Sequence, residues 1–94
     1  MRKFKDWEEV KKELNFTPQE EIEIKLEMEL IKATIEARKN AKLTQRELSK
    51  KSGVIQPSIA KIESFKRSPQ VDTLIKLLYP MGYTLGIVPL KDKI

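Results

Sequence analysis

The segment from Thr44 to Glu63 constrains this chain more tightly than any other. Thr44 with Glu47 makes a capping box, each side chain satisfying a backbone N–H that the first helical turn leaves free. Leu48 is the inward anchor of that helix, and Ser49 is small enough to let a second helix approach. Ser52-Gly53 ends it, because glycine alone enters the left-handed C′ conformation without strain. Val54 then plugs the turn, and a second helix through Gln56 to Ser64 buries Ile59 and Ile62. An apolar anchor, a small contact residue, a turn glycine and a plug are what two short helices crossing steeply require.

The flanks supply further helices. Phe4, Trp7, Val10 and Leu14 recur at helical spacing among charges, predicting a short amphipathic leader helix within residues 1–16. Thr17-Pro18-Gln19-Glu20 combines a capping box with proline at the first helical position. The helix it opens is expected to reach about Asn40, with Ile24, Ile31, Ile35 and Met28 inward. Ile22, Ile24, Leu26, Met28 and Leu30 alternate as in a strand, but the capping box and the abundance of Glu, Leu, Lys and Met favour helix. Asp72 to Met81 reads as a last helix with Leu74, Leu77 and Leu78 inward, shortened or kinked by Pro80 and stopped by Gly82. Tyr83 to Val88 then alternates as an edge strand before Pro89. A lone strand needs a partner from another copy or another protein.

Composition narrows the chemistry. The 94 residues amount to one small domain, for which oligomerisation is expected to add stability. Without cysteine or histidine there is no disulfide, no Cys/His metal site and no histidine base; no cofactor and no catalytic residue are expected. No signal peptide or membrane span can be drawn, so a cytoplasmic protein is expected. The net charge of +5 is unevenly spread. From Ala37 to Gln70 nine basic residues face only Glu47 and Glu63, whereas from Thr17 to Glu36 six glutamates face two lysines. The basic block suits a phosphate backbone and the acidic block a basic partner, unless both are plain solvated helix faces.

From Ile31 to Met81 the chain resembles the Xre/Cro-type repressor family. The resemblance runs through Arg38, Leu43-Thr44-Gln45, Leu48, Gly53-Val54, Gln56, Ile59, Ile62-Glu63, Lys66-Arg67, Pro69 and Asp72-Thr73-Leu74. The stretch from Met81 to Leu90, with the Trp7-containing leader, resembles the HigA-type antitoxins of toxin–antitoxin pairs. The fold implied is mainly α, a five-helix Xre/Cro-type helix-turn-helix domain. It would have the leader at 1–16, the core domain at 17–81, and a strand and tail at 82–94 that pairs across a dimer.

That resemblance implies roles. The second helix of the motif would lie in the major groove, with Gln56, Pro57, Ser58 and Lys61 at base edges. Thr44, Gln45, Arg46, Lys66 and Arg67 would meet phosphates. The alternative is that Gln56, Ser58 and Lys61 are ordinary solvent-facing residues. Arg38 and Glu63 would form a structural salt bridge rather than a ligand site. Two residues depart from the family. Ile55 stands where relatives carry a Ser or Thr N-cap, a loss of ~1 kcal/mol. Phe65 stands where they carry glycine; phenylalanine suits positive φ poorly, so the helix end is expected to close differently.

As a HigA-like antitoxin the chain would bind operator DNA, repress its own operon and neutralise a RelE-like mRNA-cleaving toxin. Phe4, Trp7, Val10, Leu14 and Phe16 either reach that toxin or fold back onto their own core. Tyr83, Leu85, Ile87 and Val88 either pair across a two-fold axis, giving a homodimer, or extend a sheet in the partner. The alternatives are a stand-alone Xre-family repressor without a toxin, or a protein-interaction module that has lost DNA binding.

Overall fold

The structure is a computed structural model that describes residues 15–90. The leader positions Phe4, Trp7, Val10 and Leu14 lie outside the described residues, and with them the fifth helix expected from the sequence. Among the described residues there are four α-helices: α1 (Pro18–Asn40), α2 (Gln45–Ser52), α3 (Gln56–Glu63) and α4 (Val71–Leu78). A 3-10 turn, Tyr79–Met81, continues α4. Pro80 has no N–H to extend the α-helical ladder, so the last turn tightens instead.

Both capping boxes form. Thr17 Oγ1 accepts from the Glu20 N–H at 3.2 Å, and the Thr17 N–H donates to Glu20 Oε1 at 3.0 Å. The same reciprocal pair joins Thr44 and Glu47 at 3.0 and 2.8 Å. α1 runs unbroken through the alternating stretch from Ile22 to Leu30. Only its C-terminal half enters the core, through Ile31, Thr34 and Ala37, and Thr34 returns its hydroxyl to the Leu30 carbonyl at 2.8 Å. Ile24 and Met28 are half-buried, and Ile35 packs at the edge of the core.

That core is Ile31, Leu48, Ile59, Ile62 and Leu77, one or two residues from each helix, with Leu43, Val54, Phe65 and Met81 packed around it. Burying each such side chain contributes roughly 1.5–3 kcal/mol. α4 adds Leu74 and Leu78 to the buried set.

Three of the helix ends close in the same way. After α1, the Leu43 N–H reaches the Arg38 carbonyl and the Lys42 N–H that of Lys39. After α3, the Lys66 N–H reaches Lys61 and the Phe65 N–H reaches Ile62, at 2.9 and 3.0 Å. After the 3-10 turn, Tyr83 and Gly82 bond to Leu78 and Tyr79. Each is a Schellman closure, which needs a left-handed residue. Those residues are Lys42 (φ 59°), Phe65 (φ 62°) and Gly82 (φ 85°). The expectation that Phe65 would force a different closure is therefore corrected. Phe65 adopts the positive φ that glycine would, because its ring packs against the core.

The expected C-terminal strand does not form in the single chain: residues 83–90 carry no regular secondary structure, and among the described residues there is no strand. A strand is held by hydrogen bonds to a neighbour, and among the described residues this segment has none to pair with. No helix among the described residues is long and apolar enough to cross a membrane.

Candidate nucleic-acid interface

α3 presents one face outward because Ile59 and Ile62 hold the other in the core. Pro57 and Lys61 are exposed on the side opposite the core, with Gln56 on one flank and Ser58 on the other. The helix starts without a side-chain cap: Ile55 occupies the N-cap position, 64% exposed, and its side chain offers no acceptor.

Each flank is tied down. Gln56 Nε2 donates to Gln45 Oε1 at 2.9 Å, and Gln45 Nε2 donates to Glu63 Oε1 at 2.9 Å. Glu63 in turn receives Arg38 Nε at 2.7 Å and Arg38 Nη2 at 2.8 Å, while Arg38 Nη1 donates to the Leu43 carbonyl at 2.8 Å. The chain of bonds runs from the end of α1, through the end of α3 and the start of α2, to the first residue of α3. The Arg38 and Glu63 side chains are only 13% and 10% exposed. Their hydrogen bonds hold the guanidinium pKa above its ordinary value, against desolvation. On the other flank, Arg67 Nη1 donates to Ser58 Oγ at 3.1 Å.

Around this surface lie further basic residues of the segment. Arg46, Lys50 and Lys51 on α2, Lys61 on α3, and Lys66 and Arg67 beyond it are all exposed. Thr44 uses its hydroxyl oxygen on Glu47 but keeps its hydroxyl hydrogen free to donate. Gln45 retains one amide hydrogen after serving Glu63. The links between Gln45 and Gln56, and between Ser58 and Arg67, had no sequence signal, since each joins side chains 11 or 9 residues apart across a turn. Among the described residues no group of His, Cys, Asp or Glu could hold a metal ion.

The remaining sequence-derived positions are scattered. Phe16 is half-buried just ahead of α1. Tyr83, Ile87 and Val88 are exposed and Leu85 is half-buried, in the irregular segment after Gly82. On α4 the apolar Val71 and Ile75 are exposed as well, and Tyr79 follows at the next helical turn, 81% exposed.

Two short helices locked across a glycine turn, the second exposed and ringed by cations, define a DNA-binding helix-turn-helix domain. The chain belongs to the helix-turn-helix family in its Xre type, whose family model matches residues 35–87. It is 43% identical over 88 residues to an uncharacterized HTH-type transcriptional regulator of Haemophilus influenzae, covering 94% of this chain and 89% of that one. A chain in a solved structure of a toxin-antitoxin module from Streptococcus pneumoniae superposes with a TM-score of 0.66 at 41% identity. That match covers 90% of this chain and 93% of the other. The Xre-type family read from the sequence is thus the family to which the chain belongs.

Proposed function

We propose that this chain is a HigA-type antitoxin that binds operator DNA as a dimer, represses its own operon and neutralises a RelE-like mRNA-cleaving toxin. The observation that carries this reading is the likeness, over nine-tenths of both chains, to a chain of a toxin-antitoxin module. A match confined to the helix-turn-helix would speak only for DNA binding; this one extends into the flanks.

On DNA, α3 enters the major groove. Gln56 makes paired hydrogen bonds to adenine, its amide plane oriented by Gln45; Pro57 meets a thymine methyl, and Lys61 reaches guanine or a phosphate. Thr44, Gln45, Arg46 and Lys66 lie along the backbone, the first two through the donors left free by their internal bonds. Arg38 and Glu63 touch no DNA and hold α1 to the recognition helix. Pairing of residues 83–88 across a two-fold axis gives the dimer, supported by the exposure of Tyr83, Ile87 and Val88. For the toxin, the acidic side chains Glu20, Glu23 and Glu29 stand exposed along the N-terminal half of α1. A basic ribonuclease would be drawn to them, with Phe4, Trp7, Val10, Leu14 and Phe16 as apolar contacts.

A second reading is a stand-alone transcriptional repressor, favoured by the identity to an HTH-type transcriptional regulator. Purification of the tagged chain from its native host separates the two. A stoichiometric small basic protein whose expression alone stops growth supports the antitoxin. A clean homodimer that still binds its own promoter supports the repressor. Loss of DNA binding even at low salt would leave only a protein-interaction module.

A further inference from the structure

The segment joining α3 to α4 is held at two points. Phe65 seats its ring against the core, and Ser68 Oγ donates to both oxygens of Glu27 on α1, at 3.0 and 3.1 Å. Pro69 restricts the backbone immediately after. Between these anchors stand Lys66 and Arg67, both exposed. The Lys66 side chain makes no hydrogen bond or ion pair among the described residues; only its backbone N–H is used, on the Lys61 carbonyl. Arg67 differs: its guanidinium is fastened at 3.1 Å to Ser58, in the first turn of α3.

From sequence alone Arg67 belongs with the phosphate contacts. The geometry points to another role, and we propose that Arg67, held by Ser58, reads a guanine base edge. This rests on operator binding through α3. A phosphate-binding arginine gains from reaching sideways to a backbone strand. A guanidinium fastened to the N-terminal turn of the recognition helix instead travels with that turn into the groove. It has five N–H donors, of which Ser58 takes one, and its remaining fork matches O6 and N7 of guanine. Being anchored before binding, it loses less rotamer freedom on contact than a free side chain would. Ser58 is then a positioning residue acting through Arg67. Lys66, one residue away and untethered, serves as the internal comparison for a plain phosphate contact.

The test is enrichment of preferred duplexes from a random pool by the full chain, followed by affinities for single-base variants across ~50–200 mM salt. The wild type is expected to prefer guanine at one position of each half-site by roughly 10- to 100-fold. Arg67→Ala and Arg67→Lys should both erase that preference and leave the others intact, since lysine keeps the charge but lacks the fork. Ser58→Ala should weaken the same preference and add nothing in the Arg67→Ala background. Lys66→Ala should weaken all duplexes alike and lower the salt slope by about one counterion. The proposal is overturned if Arg67→Ala behaves as Lys66→Ala does and Arg67→Lys restores binding, because that is a phosphate contact. A wild-type chain that enriches no sequence would instead sink the operator reading itself, an outcome that no Arg67 result can mimic.

Discussion

Arg38 and Glu63 face each other with their planes in register, two parallel hydrogen bonds of 2.7 and 2.8 Å closing the pair between the ends of α1 and α3. Neither partner is free to choose another arrangement. The third guanidinium nitrogen holds the Leu43 carbonyl, and the carboxylate also serves Gln45. The pair therefore joins three helices and, through Gln45, sets the side chain of Gln56. A buried pair of this kind adds little net stability against an apolar substitute, but breaking one half of it is expensive.

We predict that Glu63→Ala destabilises the domain by up to about 3 kcal/mol, the lower end for a buried pair, because the part-buried Arg38 guanidinium is left without its counter-charge. The double variant Arg38→Met with Glu63→Leu should lose less than Glu63→Ala alone. Urea unfolding followed by circular dichroism measures both. Equal losses in the two would mean that the pair is worth its full apparent strength.

Gln45→Ala should leave the urea midpoint nearly unchanged yet weaken operator binding, since it frees the Gln56 amide rather than opening the core. Beyond a uniform loss from Gln45's own phosphate contact, a further loss of roughly 1 kcal/mol should fall at the adenine contacted by Gln56, at the lower end for a bidentate base contact. Titration of wild type and variant against duplexes changed at that base would show it. An even loss with no further drop at that base would count against the coupling.

The closure at Phe65 sets two effects against each other. Positive φ costs a non-glycine residue roughly 1–2 kcal/mol, while the packed ring stabilises the same site. Phe65→Ala loses the ring and keeps the strain; Phe65→Gly loses the ring and relieves the strain. Glycine should therefore be the better tolerated of the two by about 1 kcal/mol, the reverse of their order inside a helix. Comparing their melting temperatures decides it.

Ile55→Ser should stabilise α3 by up to ~1 kcal/mol by offering a side-chain acceptor to the Ser58 N–H, which in the wild type bonds only the Ile55 carbonyl, at 3.0 Å. The backbone there is already extended (φ −64°, ψ 144°), so no rearrangement is needed. A melting temperature no higher than that of the wild type would argue that the exposed isoleucine has a contact of its own in an assembly.

Acid should expose the capping boxes. The hydrogen bonds from Thr17 hold Glu20, and those from Thr44 hold Glu47, below the ordinary carboxylate value of 4.5. Because the folded values lie below the unfolded ones, their contribution is complete above pH 4.5 and is lost as pH falls through the folded values. The Glu20→Gln, Glu47→Gln variant should thus show a flatter decline in melting temperature below that point. An unchanged acid limb would assign the decline to other carboxylates.

What the sequence determined by itself lies within a helical turn or two of each residue. Thr17 with Glu20, Thr44 with Glu47, and Gly53 after Ser52 act through neighbouring backbone groups, and the spacing of Leu48, Ile59, Ile62, Leu74 and Leu77 defines which face is apolar. These interactions need no knowledge of the rest of the chain. The tertiary structure alone decided that Phe65 would enter the left-handed region, since its compensation comes from core side chains distant in sequence. It also decided that Gln45 would divide its amide between Glu63 and Gln56, and that Ser68 would fasten to Glu27, 41 residues away. The segment from Tyr83 to Val88 shows the boundary from the other side. Its alternation describes a strand, but a strand exists only when another supplies its hydrogen bonds, and among the described residues none does so.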